Sequence, residues 1–199
     1  MEHLNVNMQR KAAHLFIIAA PSGGGKSTLC REALKRFSDM HYSVSYTTRK
    51  RRPGEQDGVD YHFIGKRDFR NGIKTGKWAE WAVVHGHYYG TSADFLAKGL
   101  AEGRDILLDL DVQGTRQILA RYPGSVAIFI MPPSLEVLRE RLEARGTDSA
   151  ESIAIRLKNA EREIAQLDLF QHVIINEQLS KAVQELISII QKYRAQHEA

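Results

Sequence analysis

Residues 15–19, Leu-Phe-Ile-Ile-Ala, are an unbroken apolar run, and Ala20, Pro21, Ser22, Gly23, Gly24, Gly25, Lys26 and Ser27 follow it directly. A short continuous run of this kind is what a strand buried on both faces shows. Glycines after such a strand let the backbone close around an anion. Helical composition over 26–37, with Leu29, Ala33 and Leu34 on one side, then directs the positive end of a helix at the same point. The segment reads as a phosphate-gripping P-loop. Gly23, Gly24 and Gly25 supply backbone N–H groups, Lys26 a mobile cation, and Ser27 or Thr28 a hydroxyl on the metal side. The usual wording opens with glycine; here Ala20 stands in that place, and an extended backbone there tolerates its β-carbon. The bland alternative is a Gly-rich turn with a chance Lys-Ser after it, which the position between a buried strand and a helix disfavours.

Beyond the loop the rhythm is strand then helix. Apolar strands are expected at 106–111, 126–130 and 173–175. Helices are expected from Ser134, as cap, towards Ala144, from Ser149 towards Leu167, and over 179–193. Such alternation implies an α/β fold with a parallel sheet and helical crossovers. The stretch 43–90 breaks the rhythm with short, aromatic, Gly-punctuated pieces and reads as a small mixed or antiparallel insert, a place for a substrate lobe. Asp109 and Asp111, two apart on one expected strand, are taken to share a face, with Asp109 on the Mg²⁺ side.

The totals close off several classes. A chain of 199 residues is one domain by length, and a single cysteine, Cys30, excludes an internal disulfide and suits a reducing cytosol. No apolar run approaches the roughly 20 residues that span a bilayer. Residues 1–13 lack the apolar core of a signal peptide and are expected to be a disordered tail. The net charge of +4 invites a nucleic-acid partner. The densest cluster, Arg49-Lys50-Arg51-Arg52, runs at once into Pro53-Gly54-Glu55, however, and therefore lies in a turn. With no stacking platform, helix-turn-helix or zinc pattern, small phosphorylated ligands suit those arginines better.

The residues quoted so far, taken with Ser45-Tyr46-Thr47-Thr48-Arg49, Arg52-Pro53-Gly54-Glu55, Asp60-Tyr61, Glu80-Trp81-Ala82, Tyr88-Tyr89-Gly90-Thr91, Asp109-Leu110-Asp111-Val112-Gln113-Gly114 and Arg145-Gly146-Thr147, resemble the guanylate kinases over about 16–193. Each element alone is weak; together, in this order and spacing, they are highly specific. The resemblance implies transfer of the γ-phosphoryl group of ATP to GMP with Mg²⁺, on a P-loop NTPase-type core (14–42 and 92–199), a GMP-binding lobe (about 43–91) and a helical lid (about 141–166). It places the GMP phosphate on Arg49, Arg52, Tyr61 and Tyr89, and the guanine on Ser45, Glu80, Thr91 and Asp111. ATP falls to residues 20–28 (Ala20, Pro21, Ser22, Gly23, Gly24, Gly25, Lys26, Ser27, Thr28) with Arg141, Arg145 and, near the adenine, Asn176. Lys26, Arg49, Arg145 and Arg156 are the implied catalytic set, and Ser27 with Asp109 the implied metal side. The expected partners are ATP and GMP, with no nucleic acid and no membrane, in a cytoplasmic monomer or homodimer.

The chemistry is consistent with those roles. Guanine presents N–H donors at N1 and N2 and an acceptor at O6. Carboxylates at Glu80 and Asp111 with hydroxyls at Ser45 and Thr91 complement that edge, whereas adenine would leave a buried charge unpaired. Two plainer readings stand beside this one: Glu80 on the polar face of an amphipathic strand, and Arg156 on a solvated surface helix. Trp78 and Trp81 are expected in the core of the insert, Cys30 is expected to be buried, and the histidines show no metal-ligand spacing. Two other functional classes also stay open: a guanylate-kinase-like module that binds a phosphopeptide, and a P-loop hydrolase or other small-molecule kinase.

Overall fold

The computed structural model describes residues 13–84, 86–144, 146 and 148–196. The expected tail at 1–13 therefore lies outside the described residues apart from Ala13, and Arg145 lies outside them as well.

The apolar run becomes β1 (Leu15–Ala19), the central strand of a five-stranded sheet. Its neighbours are β7 (Ile106–Asp109) and β8 (Val126–Met131), with β2 (His41–Tyr42) and β9 (His172–Ile175) at the edges, and every pairing is parallel. Alternation of side chains gives each face of β1 its own core. Phe16 and Ile18 pack with Leu29, Cys30 and Ala33 of α1 (Lys26–Arg36) and with Ala182, Leu186 and Ile190 of α7 (Leu179–Ala195). Leu15, Ile17 and Ala19 pack with Leu96 of α3 (Ala93–Ala101) and Val112 and Ile118 of α4 (Val112–Arg121). Helices on both faces are the reason the strands read as continuous apolar runs. The expected α/β doubly covered parallel core is what forms, and Cys30 is buried in it as expected.

The stretch after β2 forms a separate four-stranded mixed sheet in the order β4 (His62–Phe63), β3 (Tyr46–Thr47), β6 (His87–Ser92), β5 (Trp78–Val84). β3 runs parallel to β4 and antiparallel to β6. A helix, α2 (Lys66–Lys74), lies within it and was not anticipated from sequence. It is short and polar overall, and only Phe69 and Gly72 are buried. Phe69 stacks on Trp78 at 4.5 Å and on Tyr88 at 5.1 Å, so the lobe owns an aromatic core. Trp78 belongs to that core as expected. Trp81 does not: it is 37% exposed. The two-residue period of β5 turns Glu80 and Ala82 inward and so turns Trp81 and Val83 outward.

A third packing unit joins α5 (Leu135–Ala144) to α6 (Ala150–Ile164) through Leu138, Leu142, Ile153, Leu157 and Ala160. The cap expected at Ser134 is in place, and the helix expected to start at Ser149 is capped by it. Ser134 Oγ accepts from Val137 N at 3.2 Å, and Ser149 Oγ accepts from Ser152 N at 3.2 Å. Leu138 and Leu142 also fill the space beside Gly23, where a β-carbon would meet them at 3.0 and 3.1 Å. The helical pair thus rests on the glycine loop.

Candidate active site

The loop after β1 and the carboxyl end of β7 are brought together by strand register, since Ile18 lies beside Asp109. This is the crevice in which open parallel sheets bind ligands. Gly24 N donates to Pro21 O at 2.8 Å, closing the turn, and Gly25 caps α1 at φ +96°. Gly23 sits at φ +97°. Both values belong to the left-handed region, which costs other residues strain, and they curl the loop into a nest of N–H groups at the helix N-terminus. Ala20 packs against the core and leaves that curl undisturbed. Ser27 is exposed and Thr28 half-buried on the first turn of the helix.

Lys26 Nζ lies 2.5 Å from Asp109 Oδ1 and donates to Leu110 O at 2.9 Å. Burial pulls its ammonium towards neutrality, but the Asp109 carboxylate more than offsets this and holds its pKa above the usual lysine value. The lysine therefore stays charged. β7 ends at Asp109, and Asp111 instead caps α4, accepting from Gly114 N at 2.7 Å. Asp109 pairs with the lysine of the loop, and Asp111 lies beside Glu80 of the small lobe.

Facing Asp111 is Glu80, 4% exposed, whose Oε1 accepts from Thr91 Oγ1 at 2.6 Å. The two carboxylates come from β5 and the start of α4, and they approach because residue 114 has no side chain. A β-carbon there would lie 2.7 Å from Glu80 Oε2 and 3.4 Å from Asp111 Oδ1. Burial, with a smaller push from Asp111, raises the Glu80 carboxyl to about 7. Such a group is not the solvated face of an amphipathic strand. Gln117, one turn on from Gly114, clasps β5 by accepting from Trp81 N at 3.2 Å and donating to Trp81 O at 2.8 Å. Ser45 is half-buried, between β2 and β3.

A third group gathers Arg49, Tyr61 and Tyr89. The Arg49 guanidinium donates to Tyr89 Oη at 3.3 Å and lies 5.2 Å from the centre of the Tyr61 ring. It also forms a two-pronged pair with Glu55, at 2.7 and 3.0 Å. That pair raises the arginine further and holds the Glu55 carboxyl below its usual range. Glu55 also accepts from Arg52 N at 2.8 Å, so it organises the whole turn, while the Arg52 side chain is exposed. Tyr61 is raised by burial and, next, by the charge of Asp109, which puts this group within electrostatic reach of the loop.

From the helical pair, Arg141 donates to Asn176 O at 2.7 Å. Arg156 donates to Ser22 Oγ and, at 3.0 Å, to Asp148 Oδ1. Arg156 thus touches the loop instead of lying on a solvated surface. Asn176 is buried, and its amide donates to Gly24 O at 2.9 Å.

Two residues escaped the sequence reading. Glu55 lies inside the motif Arg52-Pro53-Gly54-Glu55, but a carboxylate that anchors an arginine has no signature of its own. Glu163 is raised to about 7 by burial, lowered somewhat by Lys26 and raised by Asp111, which places it against the site. Its signal was available, because it follows Arg156 by seven residues and so shares that face of α6. As to a metal, the described residues hold no group of three or more His, Cys, Asp or Glu that could ligate one. Ser27 and Asp109 offer oxygen donors only, a set that fits a hard cation completing its shell with water and phosphate oxygens.

Comparison with known proteins points one way. The guanylate kinase family model matches residues 12–193. The guanylate kinase of Syntrophotalea carbinolica is 51% identical over 176 residues, covering 88% of this chain and 84% of that one. The guanylate kinase of Dechloromonas aromatica is 48% identical over 179 residues, covering 90% and 89%. Among solved structures, a crystal structure of guanylate kinase from Anaplasma phagocytophilum superposes with a TM-score of 0.75 at 29% identity, covering 92% of this chain and 87% of that one.

Proposed function

This chain belongs to the guanylate kinase family, and on that premise we propose that it transfers the γ-phosphoryl group of ATP to GMP, giving ADP and GDP. The observation that carries the reading is the buried Glu80 carboxylate, facing Asp111 across Gly114 in the same molecule as a complete phosphate loop. A P-loop hydrolase has no use for a buried carboxylate facing a second one across Gly114, and a phosphopeptide module has none for Lys26 poised on Asp109.

The geometry supports the following roles. The loop from Ala20 to Thr28 receives the ATP phosphates, and Arg141, Arg145, Arg156 and Asn176 serve the same side, Arg145 on its family position alone. Arg49, Arg52, Tyr61 and Tyr89 receive the GMP phosphate; Ser45, Glu80, Thr91 and Asp111 read the base. The lobe 43–91 is the GMP domain and 141–166 the lid.

A phosphomonoester is largely ionised at pH 7, its second pKa being near 6, so no general base is required. The difficulty lies in bringing two polyanions into line. Three cations are held by protein carboxylates: Lys26 by Asp109, Arg49 by Glu55, and Arg156 by Asp148. Each is turned towards the crevice already charged, and incoming phosphate oxygens exchange with the carboxylate. The planar fork of Arg49 suits such an exchange, because it binds two phosphate oxygens as it binds the two oxygens of Glu55. Magnesium, held by Ser27 and Asp109, would neutralise charge across the transferring phosphates. Closure of α5 and α6 over the loop keeps water from competing as acceptor.

The reaction needs no partner beyond ATP, GMP and Mg²⁺. No helix among the described residues is long and apolar enough to cross a membrane. We place the enzyme in the cytoplasm as a monomer or homodimer, without nucleic acid. A coupled ADP-release assay with ATP and Mg²⁺, supplied with GMP, AMP, dTMP or no acceptor, tests the reading. Turnover with GMP alone is expected; acceptor-independent ADP release, or silence with every acceptor, would overturn it.

A further inference from the structure

Asn176 follows β9 directly and is tied at three points. Its N–H donates to Met131 O at 2.8 Å, its carbonyl accepts from Arg141 at 2.7 Å, and its side-chain Nδ2 donates to Gly24 O at 2.9 Å. The residue is 5% exposed. A β-carbon on Gly25 would collide with Nδ2, so the amide also occupies the space that the second positive-φ glycine leaves open.

From this geometry we infer that Asn176 is a positioning residue for the phosphate loop, not a reader of the adenine ring. The Gly24 carbonyl and the Gly25 N–H belong to one planar trans peptide and point in opposite directions. A bond that draws the oxygen towards Asn176 therefore also fixes the direction of the Gly25 N–H, one of the donors of the nest. An amide left free of Gly24 would let this plane rotate, since glycines on both sides of the bond impose little preference of their own. The same residue carries the constraint outward, because its backbone oxygen is where Arg141 of α5 is moored. Loop, edge strand and helical pair are thereby fixed to one another at a single residue. One of the two N–H bonds of the amide is thereby committed to the loop.

The inference rests on the reading that ATP phosphates occupy this loop, and the test separates the two. Binding of MgATP, of magnesium tripolyphosphate and of GMP is measured for the unmodified protein and for Asn176→Asp, which keeps the shape but cannot donate to Gly24 O. MgATP and tripolyphosphate should weaken by the same factor, roughly ten-fold for one buried hydrogen bond. GMP binding should be unchanged, and in turnover KM for ATP should rise while KM for GMP holds. A loss confined to ATP, with tripolyphosphate unaffected, would show that the amide reads the base. Unaltered binding of both would show that it positions nothing. If Asn176→Asp loses GMP binding and hence its fold, Asn176→Ala adds no charge and is expected to show the same paired loss. Failure of the unmodified protein to bind MgATP or tripolyphosphate would instead sink the loop assignment itself.

Discussion

The loop after β1 and the pocket of the small lobe both await an anionic nucleotide, yet they are made of different material. The loop is consecutive backbone, residues 20–28, curled by Gly23 and Gly25 and aimed by a helix. The pocket is side chains collected from four separate stretches, Arg49, Tyr61, Glu80 and the pair Tyr89 and Thr91 on β6, completed by Asp111 from the core. Backbone N–H groups do not titrate and have few alternative positions, so the loop works as a fixed cradle. Side chains can be tuned, and they carry identity: a carboxylate lying 2.6 Å from a threonine hydroxyl can select a base, which a cradle cannot. On the proposed assignment, generic affinity resides in the first region and choice of acceptor in the second.

Substitutions should respect that division. Removing the ammonium by Lys26→Ala should cost the most, about a thousand-fold in kcat, as expected for loss of a charged group that acts on the transferring phosphate. GMP binding measured by calorimetry should be unaffected, and a variant that loses both would erase the proposed separation of the halves. Glu80→Gln is expected to lower kcat/KM for GMP about a hundred-fold, the consequence of facing two guanine donors with a group that can accept but also carries hydrogens. KM for ATP should stay put. An unchanged preference for GMP over AMP in that variant would remove Glu80 from the guanine site.

The same contrast explains what could be read from the chain. The strand, the loop and the helix are contiguous, so their pattern was visible in residues 15–37, and the two Ser caps at 134 and 149 were equally local. The pocket was not visible as a pocket. No spacing rule joins Glu80 to Asp111, and their meeting depends on α4 packing against β5 and on residue 114 lacking a side chain. Only resemblance to a family supplied those positions. Local pattern extended over tertiary structure is less sure: the strand expected to reach 111 ends at Asp109, and Trp81, expected in the core of the insert, lies outside it. α2 has no counterpart in the sequence reading, being short and polar overall.

Gly114 offers a more local way to strain the comparison. A β-carbon at that position would sit 2.7 Å from Glu80 Oε2, so the carboxylate or the helix must shift by several tenths of an ångström. Gly114→Ala is expected to raise KM for GMP roughly ten-fold, within the cost of one mispositioned charged hydrogen bond. Turnover at saturating GMP should change little, and ATP binding not at all. If ATP binding falls in parallel, the two halves are less independent than their construction implies.

The smallest effect concerns the proton on Glu80. Its carboxyl ordinarily titrates near 4.5 and is pushed to about 7 in the folded protein, by burial first and by Asp111 second. The folded state therefore keeps a proton that the unfolded chain has already released, and stability declines as pH climbs from about 4.5 to about 7. Glu80→Gln lacks that decline, so its melting temperature should exceed that of the unmodified protein by a few degrees above pH 7 and converge with it near pH 4. Glu163, raised in the same direction, is present in both proteins and cancels in the difference. Guanine N–H donors need the ionised form, so GMP affinity should rise from pH 6 to 8 by less than about ten-fold in the unmodified protein. In Glu80→Gln only the slighter rise due to the nucleotide's own phosphate, with its pKa near 6, should remain. Parallel melting curves for the two proteins would mean that Glu80 does not titrate in this range, and that the selectivity of the pocket has to be sought in hydroxyls and shape.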